Sequence, residues 1–140
     1  MRIQFPSIAL LYVLLSTSAV AQKKDSLGPN EFLFDFNMKY TGSEFRVDPN
    51  YQYLLNYLVE QINKDSIHVH VRGHVCCGPS YRLSKRRARK TYKYLIHSGA
   101  DKSKLSFKGY SDQRPLIWPE ENKEAELANR RVDFIIRPIK

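Results

Sequence analysis

Five residues between positions 68 and 77 are of types that do chemistry: His68, His70, His74, Cys76 and Cys77. His68, His70, His74 and Cys76 share parity, so an unbroken strand would present nitrogen and sulfur ligands on one side, a set that suits zinc or copper. Gly73 is expected to end the strand and break that parity, so no metal and no other cofactor is expected. His68 and His70 then read as polar residues on an exposed sheet face. Cys76 and Cys77 are adjacent rather than spaced as Cys-x-x-Cys, which does not support a thioredoxin-type site. Neighbouring α-carbons lie about 3.8 Å apart, short of the usual disulfide span. A bond between the two, a bond to another chain and a pair of thiols all stay open. Two cysteines exclude a four-cysteine zinc site and a disulfide-dense scaffold. Asp35, Asp48 and Asp133 are scattered, and no Ser or Cys nucleophile is spaced with a base, so no enzymatic activity is expected.

The second chemical feature is positive charge. The chain has 23 Lys+Arg against 14 Asp+Glu. Arg87 sits among Lys85, Arg86, Arg89, Lys90 and Lys93, which by residue type alone is a solvated helix face. No nucleic-acid motif accompanies the charge, so nucleic acid is not an expected partner. Attraction to an anionic wall or lipid surface is compatible with it.

These residues need elements to position them. Positions 1–21 read as a secretory signal peptide, with Arg2, the apolar run Ile8 to Leu15, and Ala19-Val20-Ala21 before a cleavage point at Gln22. Export implies the periplasm and an oxidising compartment for the cysteines. Positions 22–30 form a short polar leader and 31–140 one domain. No apolar run is long enough for an ordinary membrane span.

Within the domain, Glu31 to Phe36 predicts a strand, and Met38 to Val47 a loop. Asp48-Pro49 predicts a helix start, with Leu54, Tyr57, Leu58 and Ile62 as its apolar stripe and an end near Asp65. Ser66 to Arg72 alternates, with Ile67, Val69 and Val71 on one face. Gly73 to Tyr81 is a loop. Leu83 to Ser98 is a second helix with Ala88, Tyr92, Leu95 and Ile96 inward and Gly99 at its C-cap. Leu105 to Gly109 is a strand, Glu120 to Ala128 a short polar helix, and Arg131 to Arg137 a closing strand with Val132, Phe134 and Ile136 on one face. This order predicts an α/β two-layer sandwich, βαβαβ(α)β, with helices packed on one face of a four-stranded mixed sheet.

Four segments then resemble the OmpA-like C-terminal domain family: Phe32-Leu33-Phe34-Asp35-Phe36, Gly73-His74, Leu83-Ser84-Lys85-Arg86-Arg87-Ala88, and Asn129-Arg130-Arg131-Val132-Asp133-Phe134. Gly109-Tyr110 and Pro115 fall in family order. The resemblance implies a non-enzymatic module that holds peptidoglycan non-covalently through the diaminopimelate residue of its stem peptide. It implies binding roles for Arg87, for Asn129 and Arg131 of the closing motif, for Phe34 of the opening strand, and for the position of Cys76. An Asp takes the ligand's ammonium in the family, and an Arg clamps its carboxylate with parallel donors. Arg87 is the matching Arg, expected in the first helical turn near free backbone donors. His74 is a family residue placed by hydrogen bonding.

The family Asp is absent. Cys76 stands there, and a neutral thiol does not replace a carboxylate. Cys76 to Arg87 spans eleven positions, about four fewer than in typical members. The expectation is an exported periplasmic wall-binding domain, reaching the outer membrane only through a partner. Two alternatives stand beside it: an interaction subunit of an envelope complex that has lost wall binding, and a thiol or metal site at Cys76 and Cys77.

Overall fold

The computed structural model describes residues 26–140. The expected signal peptide at 1–21 lies outside the described residues. The elements are β1 (Phe32–Leu33), β2 (Met38–Lys39), α1 (Gln52–Lys64), β3 (Ile67–Gly73), α2 (Tyr81–His97), β4 (Leu105–Gly109), α3 (Lys123–Asn129) and β5 (Arg131–Pro138). The sheet runs β1-β5-β3-β4, with β2 also on β5. Only β3 and β4 are parallel, so the sheet is mixed. It has five strands rather than the expected four. The opening segment pairs with β5 twice, Phe32 opposite Ile136 and Met38 opposite Val132, as two short strands instead of one over Glu31 to Phe36.

Period-two alternation sets the apolar face. Val69 and Val71 align with Leu105 and Phe107 on one side and with Ile136 and Phe134 on the other. α1 and α2 cover this face. The Asp48 carboxylate accepts from Asn50 N at 2.9 Å and starts the turn leading into α1. The buried stripe of α1 is Leu55, Leu58, Val59 and Ile62, while Tyr57 is 48% exposed. The stripe is thus rotated from the expected one, because the alternative apolar set between 54 and 62 also repeats at three and four.

α2 reaches the sheet because two glycines face it. Gly73 and Gly109 are register partners at the ends of β3 and β4. A methyl group on Gly73 would fall on the Ser84 carbonyl oxygen, and one on Gly109 would collide with Lys85 N. The Ser84 hydroxyl completes the seam, donating to Tyr81 O and accepting from Ser111 N, both at 3.0 Å.

The opposite sheet face is polar and, contrary to expectation, mostly covered. His70 is 9% exposed. Its Nδ1 is 2.7 Å from Ser106 Oγ and its Nε2 is 3.0 Å from the Tyr110 hydroxyl. Ser26 to Gly28, Glu31, Tyr110, Arg114 and Arg137 wall a cavity of about 350 Å³ over it. Next to it Asp133 is fully buried. Its carboxylate accepts from Arg72 Nε at 2.6 Å, Arg72 NH2 at 2.9 Å and Arg131 Nε at 2.8 Å, and His74 Nε2 lies 3.3 Å away. Burial alone would push this carboxyl up. His74, Arg131 and Arg72 overcome burial and hold it well below the usual carboxylate range. Burial, against the pull of Asp133, lowers His74 to about 4. Burial, with help from Arg137 and Arg72, lowers His70 to about 4.

Two outcomes follow from this framework. Gly109→Ala should lower unfolding stability by about 1–3 kcal/mol, and Gly73→Ala by at least as much, because only backbone can yield; chemical denaturation of each variant measures it. Second, both histidines stay neutral in the folded chain but protonate below about 6.5 once unfolded. Stability should therefore fall as pH drops from about 6.5 towards 4, by up to about 2.7 kcal/mol per unit. The Asp133 contribution persists through that window and is lost only at more acidic pH. Urea titrations at stepped pH would show a flat profile if the two rings were not neutral inside.

Candidate functional site

The site is assembled around the N-terminal half of α2. Ser80 caps the helix, its hydroxyl accepting from Leu83 N at 3.3 Å, and its own N–H is held by Ser111 Oγ at 2.8 Å. α2 therefore starts at Tyr81, two residues before the expected Leu83. Arg87 accordingly sits in the second turn, not beside the free donors of the first. Its place on the buried stripe Ser84, Arg87, Ala88, Thr91 and Leu95 turns it into the protein, with no exposed surface.

Three backbone carbonyls receive the guanidinium. Nε donates to Glu44 O at 2.8 Å, NH1 to His74 O at 2.9 Å and NH2 to Gly42 O at 2.8 Å. The Tyr40 ring lies 4.7 Å below it. Burial lowers the Arg87 pKa to about 10 and raises Tyr40 to about 12. Among the described residues no carboxylate pairs with Arg87. Glu44 supplies only its carbonyl; its carboxylate turns back to accept from Phe45 N and Arg46 N. This loop lies in the stretch expected only as an aperiodic connection, and no local pattern in 38–47 marks Gly42 or Glu44 as partners of a residue more than forty positions away.

His74 joins this arginine to the polar sheet face. Its N–H donates to Arg131 O at 2.9 Å, its carbonyl accepts from Arg87, and its ring stacks on Tyr110 with centroids 5.7 Å apart. Beyond it, Val75 N donates to Ser111 O and leads to Cys76 and Cys77, which are bonded to each other. Cys77 takes a left-handed φ of 65°. Its N–H donates to Glu120 Oε2 at 3.2 Å. The two sulfurs and the Glu120 carboxylate lie within 4.8 Å of one another. Sulfurs joined in this way lack the thiolate charge that a metal takes.

Asn129 ties down the segment that carries Glu120. Its Oδ1 accepts from Leu116 N and Ile117 N, and its Nδ2 donates to Ile117 O and to Glu120 Oε1 at 2.8 Å. The buried amide is thus used in loop packing and has no donor turned to a ligand. Arg131, also buried, serves Asp133 and Arg114 O. Phe34 packs against Phe36 and Tyr57, as part of the rim of the core. Of the expected site residues, the structure brings Arg87, Arg131, Cys76 and Cys77 together through His74, and Asn129 through Glu120. Phe34 belongs to a separate cluster. Glu120 is the residue that sequence reading missed. An exposed-looking Glu in a polar run carries no signal of its partner 43 positions earlier.

Comparison with known proteins places this geometry. The family model described as the OmpA family matches residues 40–130. No curated protein matches at a significant level. Among solved structures, the C-terminal domain of Helicobacter pylori MotB is similar with a TM-score of 0.68 and 22% identity, over 74% of this chain and 85% of that one. The cell wall anchor of the T6SS from Pseudomonas aeruginosa follows with a TM-score of 0.65 and 20% identity, over 79% and 89%. The peptidoglycan-associated lipoprotein from Burkholderia pseudomallei shows 0.62 and 18%, over 78% and 91%. At these identities the structures testify to the fold. The family match spans well over half of the chain, from Tyr40 beneath Arg87 to the start of β5, and on that ground the chain belongs to the OmpA family.

Proposed function

We propose that this protein is an exported, non-enzymatic domain that holds peptidoglycan non-covalently in the periplasm, with positions 1–21 removed as a signal peptide and 31–140 as the binding domain. The observation that carries it is Arg87, a buried guanidinium met only by neutral carbonyls. A charged acceptor forms hydrogen bonds roughly twice as strong as a neutral one. The carboxylate of a diaminopimelate stem peptide is therefore a better partner than the Gly42 and Glu44 carbonyls now in place, and the 41–46 loop is the part that yields to it. The ligand's ammonium needs an acid. Cys76 does not supply one, and Glu120 is the carboxylate docked on the Cys76–Cys77 turn. Two proteins of similar structure, a cell wall anchor and a peptidoglycan-associated lipoprotein, agree with this role. Among the described residues no helix is long and apolar enough to cross a membrane.

A second role is favoured by one specific observation. Every donor nitrogen of Arg87 is occupied and the side chain is fully enclosed. Such a residue is also what a domain keeps when it uses the fold without the ligand, as an interaction subunit of an envelope complex.

Co-sedimentation with diaminopimelate-type sacculi separates the two. Saturable binding displaced by a diaminopimelate-containing peptide is expected, and absence of such binding would favour the interaction subunit. Arg87→Lys, checked for folding by circular dichroism, should abolish it, because an ammonium lacks the parallel donors. Glu120→Gln keeps an acceptor for Asn129 but removes the charge. It should weaken binding by about 10–200-fold, the equivalent of about 1.5–3 kcal/mol; an unchanged Kd would remove Glu120 from the site.

A further inference from the structure

The positive charge of this protein is concentrated on one helix. α2, with 17 residues, carries seven of the 23 Lys+Arg and none of the 14 Asp+Glu. The rest of the chain holds sixteen cations against fourteen acids and is close to balanced. Arg87 is turned inward. The other six, Arg82, Lys85, Arg86, Arg89, Lys90 and Lys93, are all exposed. Their spacing is i, i+3, i+4, i+7, i+8, i+11, which is a single stripe along one helix face. Among the described residues none of the six pairs with a carboxylate. Arg86 lies over the Phe45 ring at 3.9 Å, a contact that leaves its charge uncompensated. Like charges at i, i+4 destabilise a helix, so this stripe opposes the folding of its own element.

Two shallow clefts run along the stripe. One, of about 160 Å³, is walled by Arg86, Arg89, Lys90 and Lys93. The other, of about 460 Å³, is formed by Lys85, Arg89 and Lys93 around Tyr92 and Phe107, whose rings are 4.8 Å apart. Cations around an aromatic floor match a group that is anionic at its head and apolar just behind it. A nucleic-acid duplex holds its phosphates at fixed spacing. Laterally mobile headgroups, in contrast, can meet a row of cations at any spacing.

We propose that the outer face of α2 is a docking surface for an anionic phospholipid membrane, with α2 lying along the plane of the headgroups. The helix is about 25 Å long, enough to set several cations on one surface at once. Its apolar face is already used in the core, so the attachment is electrostatic and reversible, without insertion of the helix. Each cation near an anionic surface contributes about a fivefold gain in partitioning. The stripe is on the opposite side of α2 from Arg87, so membrane docking and the proposed wall site do not compete for the same side chains.

Flotation of the purified protein with phosphatidylcholine vesicles, with and without phosphatidylglycerol, tests this. The protein should float only with the anionic vesicles and should be released by raised salt. Arg89→Gln with Lys93→Gln, two exposed positions that line both clefts, should lower partitioning roughly 25-fold. A thermal melt of the double variant should show a midpoint no lower than that of the parent, since two of the repelling charges are gone. Equal flotation with neutral vesicles, unchanged partitioning of the double variant, or tighter binding to a DNA duplex than to the anionic vesicles would each overturn the proposal.

Discussion

Asp133 holds Arg72 and Arg131 by hydrogen bonds and lies against His74, all on the sheet face opposite α1 and α2. Leaving such a carboxylate buried without its partners costs about 3–5 kcal/mol. The ion pairs therefore specify where β3 and β5 stand relative to each other. Arg72 is the register partner of Asp133, and a slip of one residue would send the acid to the apolar side. This register in turn sets the end of β3. Gly73 and His74 leave the sheet at a fixed height, and from His74 the chain reaches both Arg87 and the cysteine turn. The position of the candidate site is thus inherited from a charge cluster on the far side of the sheet.

α2 is the element that joins the two faces of the molecule. The glycine pair lets its backbone approach the sheet so closely that side chains cannot intervene, and the Ser84 hydroxyl stitches that seam. Close approach brings Arg87 within reach of the His74 carbonyl. It also leaves the opposite side of the helix with no role in packing, which is where the six cations stand. One helix therefore serves three ends by rotation about its axis: seam, buried guanidinium and charged surface.

Much of the fold was legible because it rests on local periodicity. The alternation of Ile67, Val69 and Val71, the Asp48-Pro49 start and the apolar face of β5 all appear as expected, and the family motifs found α2 and β5. What was not legible depends on distant partners. His70 reads as exposed because alternation reports a face, not what covers it; the cover comes from residues 26–28 and from Glu31, Tyr110 and Arg114. The stripe of α1 was misplaced because Leu54 and Leu55 both fit a helical repeat. Arg87 was singled out by its motif, yet its surroundings of five further cations concealed its burial. Gly42, Glu44 and Glu120 could not be found, since each acts through a backbone group or a neighbour more than forty residues away.

The two buried charge sites of this protein differ in a way that bears on function. Asp133 is matched by basic side chains, and the match is what a structural role requires. Arg87 is met by three carbonyl dipoles, which satisfy its hydrogen bonds but leave its charge uncancelled. An apolar side chain in its place would leave these buried carbonyls without a donor, at about 1–3 kcal/mol each, so hydrogen bonding is one reason to keep an arginine here. Retaining the full charge inside, at the desolvation cost that lowers its pKa, has a physical rationale if an anion arrives to meet it. The loss of the family acid at Cys76 works in the same direction. A neighbouring Asp would neutralise part of that charge, whereas the neutral Cys76–Cys77 pair does not, and the carboxylate docked on that turn is Glu120, from a different loop. On the proposed wall-binding reading, the carboxylate end of a ligand would be bound more firmly than its ammonium end, and recognition would shift from a two-point clamp towards an arginine-dominated one.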